Sequence, residues 1–349
     1  MEIYMRIILD VMSGDNAPLE LLKGAVMASE LSDIELKLVG NLDIINEVAA
    51  ENEIDLNKEN IELVHAESVI NMEDAPLSVV REKNDSSMAV GMKMLVEGKG
   101  DAFISAGNTG ALHAGSTLIV RRIKGIRKSA IATILPYKNP MMLIDSGANV
   151  EITPDAYVQF AQMGSVYMEK IMGVESPRVG LLNNGSERTK GTKNVLEAYG
   201  LLEATEDINF VGNVEGKDLP WGECDVCVTD GFSGNIVLKL TEGCASYIMS
   251  KIKEVFLKNP ITKLSALMIK GGVKQLKKEF SASEYGGAPL LGLSKPVIKA
   301  HGNSDAYAIY NAVKQAAHCV EKNVVYEIAV KLVPDLIKKP EESDEAEEK

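Results

Sequence analysis

Short apolar runs in this chain repeatedly end in glycine-rich turns that carry Asp, Asn, Ser, Thr, Lys or His. These residue types can hold an anion and move a proton beside it. Seven such turns occur, at residues 10–18 (DVMSGDNAP), 105–111 (SAGNTGA), 145–149 (DSGAN), 183–191 (NNGSERTKG), 229–235 (TDGFSGN), 285–292 (YGGAPLLG) and 300–304 (AHGNS). Glycine lets backbone approach an anion closely, and the free N–H groups of a helix start point at it. The clearest is 105–111, where Ser105, Gly107, Asn108, Thr109 and Gly110 combine hydroxyl donors with glycines as a phosphate cradle. A helix N-cap with tightly packed glycines is the plainer alternative. Several turns at the ends of successive strands suggest one site along a sheet edge.

In the first turn, Asp10 and Asp15 are placed to hold a polar group or an active-site lysine, unless they simply form an Asx turn and cap. In the fourth, Asn183, Lys190 and Lys193 stand with Arg188 at a helix start. Cations are disfavoured there by the helix dipole, so they call for a compensating anion. Lys190 then suits a phosphate or a developing oxyanion. Asp230 is a candidate proton donor or acceptor, or a cap, with Ser233 and Asn235 beside it. His301 and Ser304 precede a helix near residue 305, and Asn149 completes the substrate-binding set. His113 is ambiguous, and His65 and His318 are isolated.

Other chemistries lose weight. The Lys190-Gly191-Thr192 order does not make a nucleotide P-loop, Gly107, Gly110 and Gly115 do not make a dinucleotide fingerprint, and no G-x-S-x-G elbow occurs. Cys224 and Cys227 form a C-x-x-C inside an apparent strand, where side chains three apart diverge. The expectation is packing cysteines and no metal site. No cofactor is expected.

The elements that must position these turns alternate. Strand-like runs fall at 6–9, 35–39, 61–64, 102–104, 131–135, 141–144, 178–182, 209–212 and 226–228. Helix-like runs fall at 19–30, 42–51, 86–93 onward, 111–123, 154–172, 190–202, 235–258 and 305–322. Alternation of this kind means an α/β fold with a largely parallel sheet. The gap at 137–140 is too short for a crossover, so the strands around it should pair antiparallel and make the sheet mixed.

The chain has 349 residues, 46% of them hydrophobic, enough for one large core. No linker divides it, which predicts a single α/β catalytic domain over 1–334 and an acidic tail at 335–349. Its net charge of −13 argues against nucleic acid as a partner, while a local cluster can still bind a small anion. No apolar run is long enough to span a membrane, and no cationic leader precedes the first strand, so a cytoplasmic protein is expected. One basic stretch stands out, residues 255–280 (VFLKNPITKLSALMIKGGVKQLKKEF). Pro260 and the pair Gly271-Gly272 should break its helices. Ile261, Leu264, Leu267 and Met268 recur at helical spacing among lysines. Such a helix packs on a protein surface or lies on an anionic membrane.

Five of these pieces, SAGNTGA, IDSGAN (144–149), TDGFSGN, YGGAPLLG and AHGNS, occur in the order of the PlsX family, the bacterial phosphate acyltransferases of phospholipid synthesis, which the chain resembles over about residues 5–331. Ser13 stands where that family usually has the first glycine of D-x-M-G-G-D, and residues 183–187 read NNGSE instead of an N-I-G-E-E-like turn. The resemblance implies a three-layer α/β/α sandwich with a mixed, mostly parallel sheet, similar to phosphotransacetylase and isocitrate dehydrogenase folds. It implies transfer of an acyl group from acyl carrier protein to inorganic phosphate. It also implies a homodimer at the membrane periphery that hands acyl phosphate to the glycerol-3-phosphate acyltransferase. Direct phosphate attack on the thioester is then expected, with Lys190 or backbone amides at the oxyanion, and with the thiolate leaving unassisted or taking a proton from Asp230 or His301. A phosphotransacetylase acting on acyl-CoA and a non-catalytic membrane scaffold are the competing readings.

Overall fold

The computed structural model describes residues 5–279 and 282–334. Within them, eleven strands form one continuous sheet flanked by helices. The strands are β1 (Met5–Asp10), β2 (Ile34–Gly40), β3 (Ile61–His65), β4 (Ala102–Ser105), β5 (Ala130–Leu135), β6 (Met141–Ile144), β7 (Arg178–Asn183), β8 (Asn209–Glu215), β9 (Val226–Val228), β10 (Ala288–Leu291) and β11 (Val297–Lys299). Their spatial order is β3-β2-β1-β4-β11-β10-β5-β6-β9-β7-β8. The α/β class and the mostly parallel, mixed sheet agree with the sequence reading. So does the antiparallel β5–β6 pair.

Why the central strands are apolar at every position follows from this layering. Ile7, Ile8 and Leu9 are all fully buried, because helices cover both faces of the sheet. Full burial of each such side chain contributes about 1.5–3 kcal/mol relative to exposure. On one face, α1 (Leu19–Ala28) crosses α9 (Ala306–Glu321) at close range. A Cβ at Gly24 would lie 2.6 Å from the Ile309 Cβ, so only glycine permits this approach.

Direction divides the sheet. Strands β3, β2, β1, β4 and β11 are mutually parallel, and so are β6, β9, β7 and β8. Between the groups, β11–β10, β10–β5 and β5–β6 are all antiparallel. Three reversals make the two groups run in opposite directions. Turns after β1, β4 and β11 therefore leave one edge of the sheet, and turns after β6, β7 and β9 leave the other. The single lined edge expected from sequence is corrected on this point.

Helix α7 (Gly231–Leu257) links the two edges. Its 27 residues span about 40 Å. Asp230 caps it, accepting from the Ser233 amide at 2.8 Å. Helix α8 (Pro260–Glu279) follows after the break at Pro260. Gly271-Gly272 does not break it, contrary to expectation. Each glycine costs about 1 kcal/mol relative to alanine, too little to end a 20-residue helix. The acidic tail at 335–349 lies outside the described residues.

Candidate active site

A cavity of about 990 Å³ opens between α7 and the centre of the sheet. Its polar lining includes Asp15, Thr109, Asn235, Lys239, Glu242, Lys299, His301 and Ser304. Its apolar lining includes Ile131, Ile134, Leu238, Ala245 and Met249. On α7 the lining positions 235, 238, 239, 242, 245, 246 and 249 fall on one face, at spacings of three and four.

The cationic centre is Lys299, the last residue of β11. Its Nζ donates to the Ala106 carbonyl at 3.1 Å and to the Ala300 carbonyl. Among the described residues it has no carboxylate ion pair. Burial, then the nearby Lys239, bring its pKa down to about 8, while Asp10 and Asp15 pull the other way. Beneath it, fully buried Asp10 accepts from Ser105 Oγ at 2.7 Å, and Ser105 Oγ accepts from the Gly107 amide at 3.1 Å. These contacts fix the turn whose Ala106 carbonyl holds Lys299. A Cβ at Gly107 would meet Ser13 Cβ at 2.8 Å, so the turn tolerates only glycine.

His301 follows two residues later, with its Nε2 3.5 Å from Glu242 Oε1 on α7. The other Glu242 oxygen accepts from Lys239 Nζ at 2.9 Å. His301 first, then Lys239, pull the Glu242 pKa down to about 2 against partial burial. The first turn clamps the histidine turn. The Asp15 amide donates to the Gly302 carbonyl at 2.7 Å, and Asn16 Nδ2 donates to the Asn303 and Ser304 carbonyls at 3.0 and 3.2 Å. Ser304 Oγ is buried with no hydrogen-bond partner among the described residues. A buried hydroxyl left unpaired in a cavity wall beside a lysine lacking a carboxylate suits an incoming oxyanion.

Of the residues singled out from sequence, the cavity collects Asp15, Thr109, Asn235, His301 and Ser304. Asp10, Ser105 and Gly107 stand behind its wall. Asn108 does not line it. Its Oδ1 caps the helix α4 (Thr109–Gly115), and its Nδ2 donates to the Met72 carbonyl at 2.8 Å. A Cβ at the neighbouring Gly110 would meet Pro76 at 3.0 Å. Asp230 and Ser233 pair as a helix cap outside the lining. Asn149 is buried and donates to the Ser129 carbonyl at 2.7 Å and to Asp145 at 2.8 Å.

Lys190 and Lys193 are exposed at the opposite edge, beyond β7, and do not reach the cavity. Two cations of this turn, Lys190 and Arg188, pair with carboxylates of this chain. Lys190 lies 4.0 Å from Glu187, and Arg188 lies 2.5 Å from Glu203. Asn183 donates to the Lys190 carbonyl at 3.0 Å, closing the turn on itself. Within this chain, the structure does not bring Lys190, Lys193 and Asn183 together with Lys299 and His301 in the cavity.

Cys224 and Cys227 are buried, and their thiols approach each other instead of diverging, because β9 begins only at Val226. Burial pushes His113 down from its usual value, and its Nε2 lies 3.2 Å from Ser129 Oγ. No helix among the described residues is long and apolar enough to cross a membrane.

The sequence reading missed Lys299, Lys239 and Glu242. The signal for Lys299 was its place directly before AHGNS, and for the other two their spacing on the α7 face.

The fold is that of the phosphotransacetylases. A phosphotransacetylase from Streptococcus pyogenes superposes with a TM-score of 0.62 at 17% identity, covering 91% of this chain and 94% of that one. The EutD phosphotransacetylase from Staphylococcus aureus gives 0.59 at 16%, with the same coverage. The profile of the family described as "Fatty acid synthesis protein" matches residues 5–327. Proteins named phosphate acyltransferase are similar over nearly the whole chain. That of Thermoanaerobacter pseudethanolicus is 47% identical, covering 93% of this chain and 96% of the relative. That of Alkaliphilus oremlandii is 48% identical with the same coverage. This chain belongs to that family of phosphate acyltransferases, which are transferases using an acyl donor and phosphate.

Proposed function

We propose that this protein transfers an acyl group from acyl carrier protein to inorganic phosphate, for phospholipid synthesis, by direct attack of phosphate on the thioester. The observation that carries this reading is Lys299, which lines one cavity with Lys239, His301 and the Ser304 hydroxyl, Lys299 having no carboxylate partner and Ser304 no hydrogen bond among the described residues.

Lys299 and Lys239 bind the dianion, with Ser304 and Thr109 donating to its oxygens. Holding phosphate against the thioester removes the entropy cost of bringing two reactants together. A phosphate oxygen forms a bond to the carbonyl carbon. The oxyanion is stabilised by the two ammonium groups in a site partly closed to water. The C–S bond then breaks, giving acyl phosphate and a thiolate. The proton that monohydrogen phosphate brings passes through His301 to the thiolate, so charge and atoms balance. The acyl chain lies on the apolar side of the cavity, against Ile134, Leu238, Ala245 and Met249.

Two further parts of the reading rest on exposed apolar surface. Phe232, Ile236, Leu240 and Tyr247 form a second α7 face, turned away from the cavity and exposed. It supports a homodimer, to be checked by sedimentation. Ile261 and Met268 on α8 are 78% and 84% exposed, supporting peripheral contact with an anionic membrane and delivery to a glycerol-3-phosphate acyltransferase. The side chains of Leu264 and Leu267 lie outside the described residues. Ile261→Glu with Met268→Glu should release the protein from anionic vesicles, and undiminished flotation rejects the membrane contact.

The deciding assay follows release of free thiol from acyl-carrier protein with and without phosphate. Release that requires phosphate supports the reading. Preference for acyl-CoA points to a phosphotransacetylase, and no release at all points to a scaffold.

A further inference from the structure

No acidic residue falls between Asp101 and Asp145, in a chain whose net charge is −13. That span contains the loop 121–128 (RRIKGIRK), with five cations in eight residues. Arg121, Arg122, Lys124 and Arg127 are exposed. Arg127 pairs with Asp155 at 2.6 Å, and Lys128 Nζ donates to the Glu151 carbonyl at 3.1 Å. Arg121, Arg122 and Lys124 have no ion pair and no side-chain hydrogen bond among the described residues.

The loop is built, not slack. The Ile123 amide donates to the Gly292 carbonyl at 3.0 Å, and the Ser294 amide donates to the Arg121 carbonyl at 2.9 Å. Gln159 braces it twice, accepting from the Arg127 amide at 3.0 Å and donating to the Gly125 carbonyl at 3.1 Å. Ile126 is buried beneath it. Arg121 holds φ at +70°, a conformation that costs an arginine about 1–3 kcal/mol and persists only where neighbours enforce it. Arg121, Arg122 and Lys124 are thus kept together on a rigid platform with no countercharge paired to them among the described residues.

Its position connects it to the cavity. Ser129, next in sequence, accepts from Asn149, whose carbonyl accepts from the Gly231 amide at 2.7 Å, the first residue of α7. The cavity lining reaches this end of α7, at Ser146, Gly147 and Asn235. From Gly231 to Glu242 the helix rises about 16 Å, a distance that a flexible thioester arm can thread. The α7–α8 junction, by contrast, lies at the far end of the same helix.

We infer that Arg121, Arg122 and Lys124 form the docking surface for an acidic carrier protein, whose thioester-bearing arm enters the cavity past Ser146 and Asn235. The inference rests on the proposed transfer from a carrier. Cations spread over an exposed rigid loop match an extended acidic surface, whereas a small anion calls for convergence in a cavity.

The test compares wild type with Arg122→Glu/Lys124→Glu, neither residue belonging to the reaction site. Each is assayed with acyl-carrier protein and with acyl-pantetheine as donor. The variant should raise KM for the carrier-bound donor about tenfold or more, with the wild-type KM itself rising with salt. Its kcat/KM for acyl-pantetheine should stay within about twofold of wild type. Fluorescence anisotropy of labelled carrier protein should show the same weakening without turnover. Unchanged carrier binding, or equal loss with both donors, overturns the docking surface. Loss of binding to anionic vesicles with carrier kinetics intact overturns it in favour of a lipid surface. Failure of the parent reading is separately visible, as wild-type protein that releases no thiol from either donor when phosphate is added.

Discussion

Lys190 lies in the turn after β7 and Lys299 is the last residue of β11, so both sit at strand ends, yet they meet opposite fates in the two halves of the sheet. In the β6–β9–β7–β8 half, Lys190 and Arg188 find carboxylates of this chain. Glu187 faces Lys190, Glu203 faces Arg188, and Asn183 ties the loop shut. In the β1–β4–β11 half, no carboxylate pairs with the lysine among the described residues. Asp10 is committed to Ser105, and Lys299 is left with two carbonyls and a cavity. Residue type and position after a strand do not make an anion site. What makes one is a cation whose countercharge the fold withholds.

The contrast is broken most sharply by exchanging each lysine for alanine. Lys299→Ala should cut turnover by about 10²–10³-fold, the range for losing one preorganised donor to an oxyanion, with the thermal midpoint largely retained. Near-normal turnover would remove Lys299 from the reaction. The pH dependence sharpens the comparison next. The folded pKa of Lys299 is lowered to about 8, below the value of an unfolded lysine. As pH rises through 8 the site loses one of its two cations, so KM for phosphate should climb several-fold above that pH. Lys299→Arg should flatten the rise, because guanidinium stays charged. The linked sign for stability is opposite. Between about pH 8 and 10 the unfolded chain binds the proton that the fold does not, so the ligand-free protein gains stability from this group as pH rises. The smallest effect belongs to Lys190→Ala, which should leave turnover within about threefold, as expected of an exposed ion pair. A loss as large as that of Lys299→Ala would return the reaction to the opposite edge.

Much of the layout was legible because it rests on local pattern. The short 137–140 connection forced the antiparallel β5–β6 pair, and continuous apolar runs marked strands buried on both faces. His301, Ser304, Asp15, Thr109 and Asn235 were legible because turn chemistry exposes polar side chains at strand ends. Lys299 was hidden because β11 is three residues long and lies between two glycine turns that obscured both it and β10. Lys239 and Glu242 read as an ordinary i,i+3 surface pair on a helix. Only the return of α7 across the sheet, set by the reversed strand direction, turns that pair toward His301. The basic loop escaped notice for a related reason. That Arg121, Arg122 and Lys124 have no ion pair among the described residues depends on where acids distant in sequence are placed, which no local window reveals.

The most direct measurement of the central claim is calorimetric titration of inorganic phosphate into wild type, Lys299→Ala and Lys190→Ala at pH 7. A site built on Lys299 predicts saturable binding to wild type and Lys190→Ala, and its loss in Lys299→Ala. Binding that survives in Lys299→Ala and disappears in Lys190→Ala would contradict it.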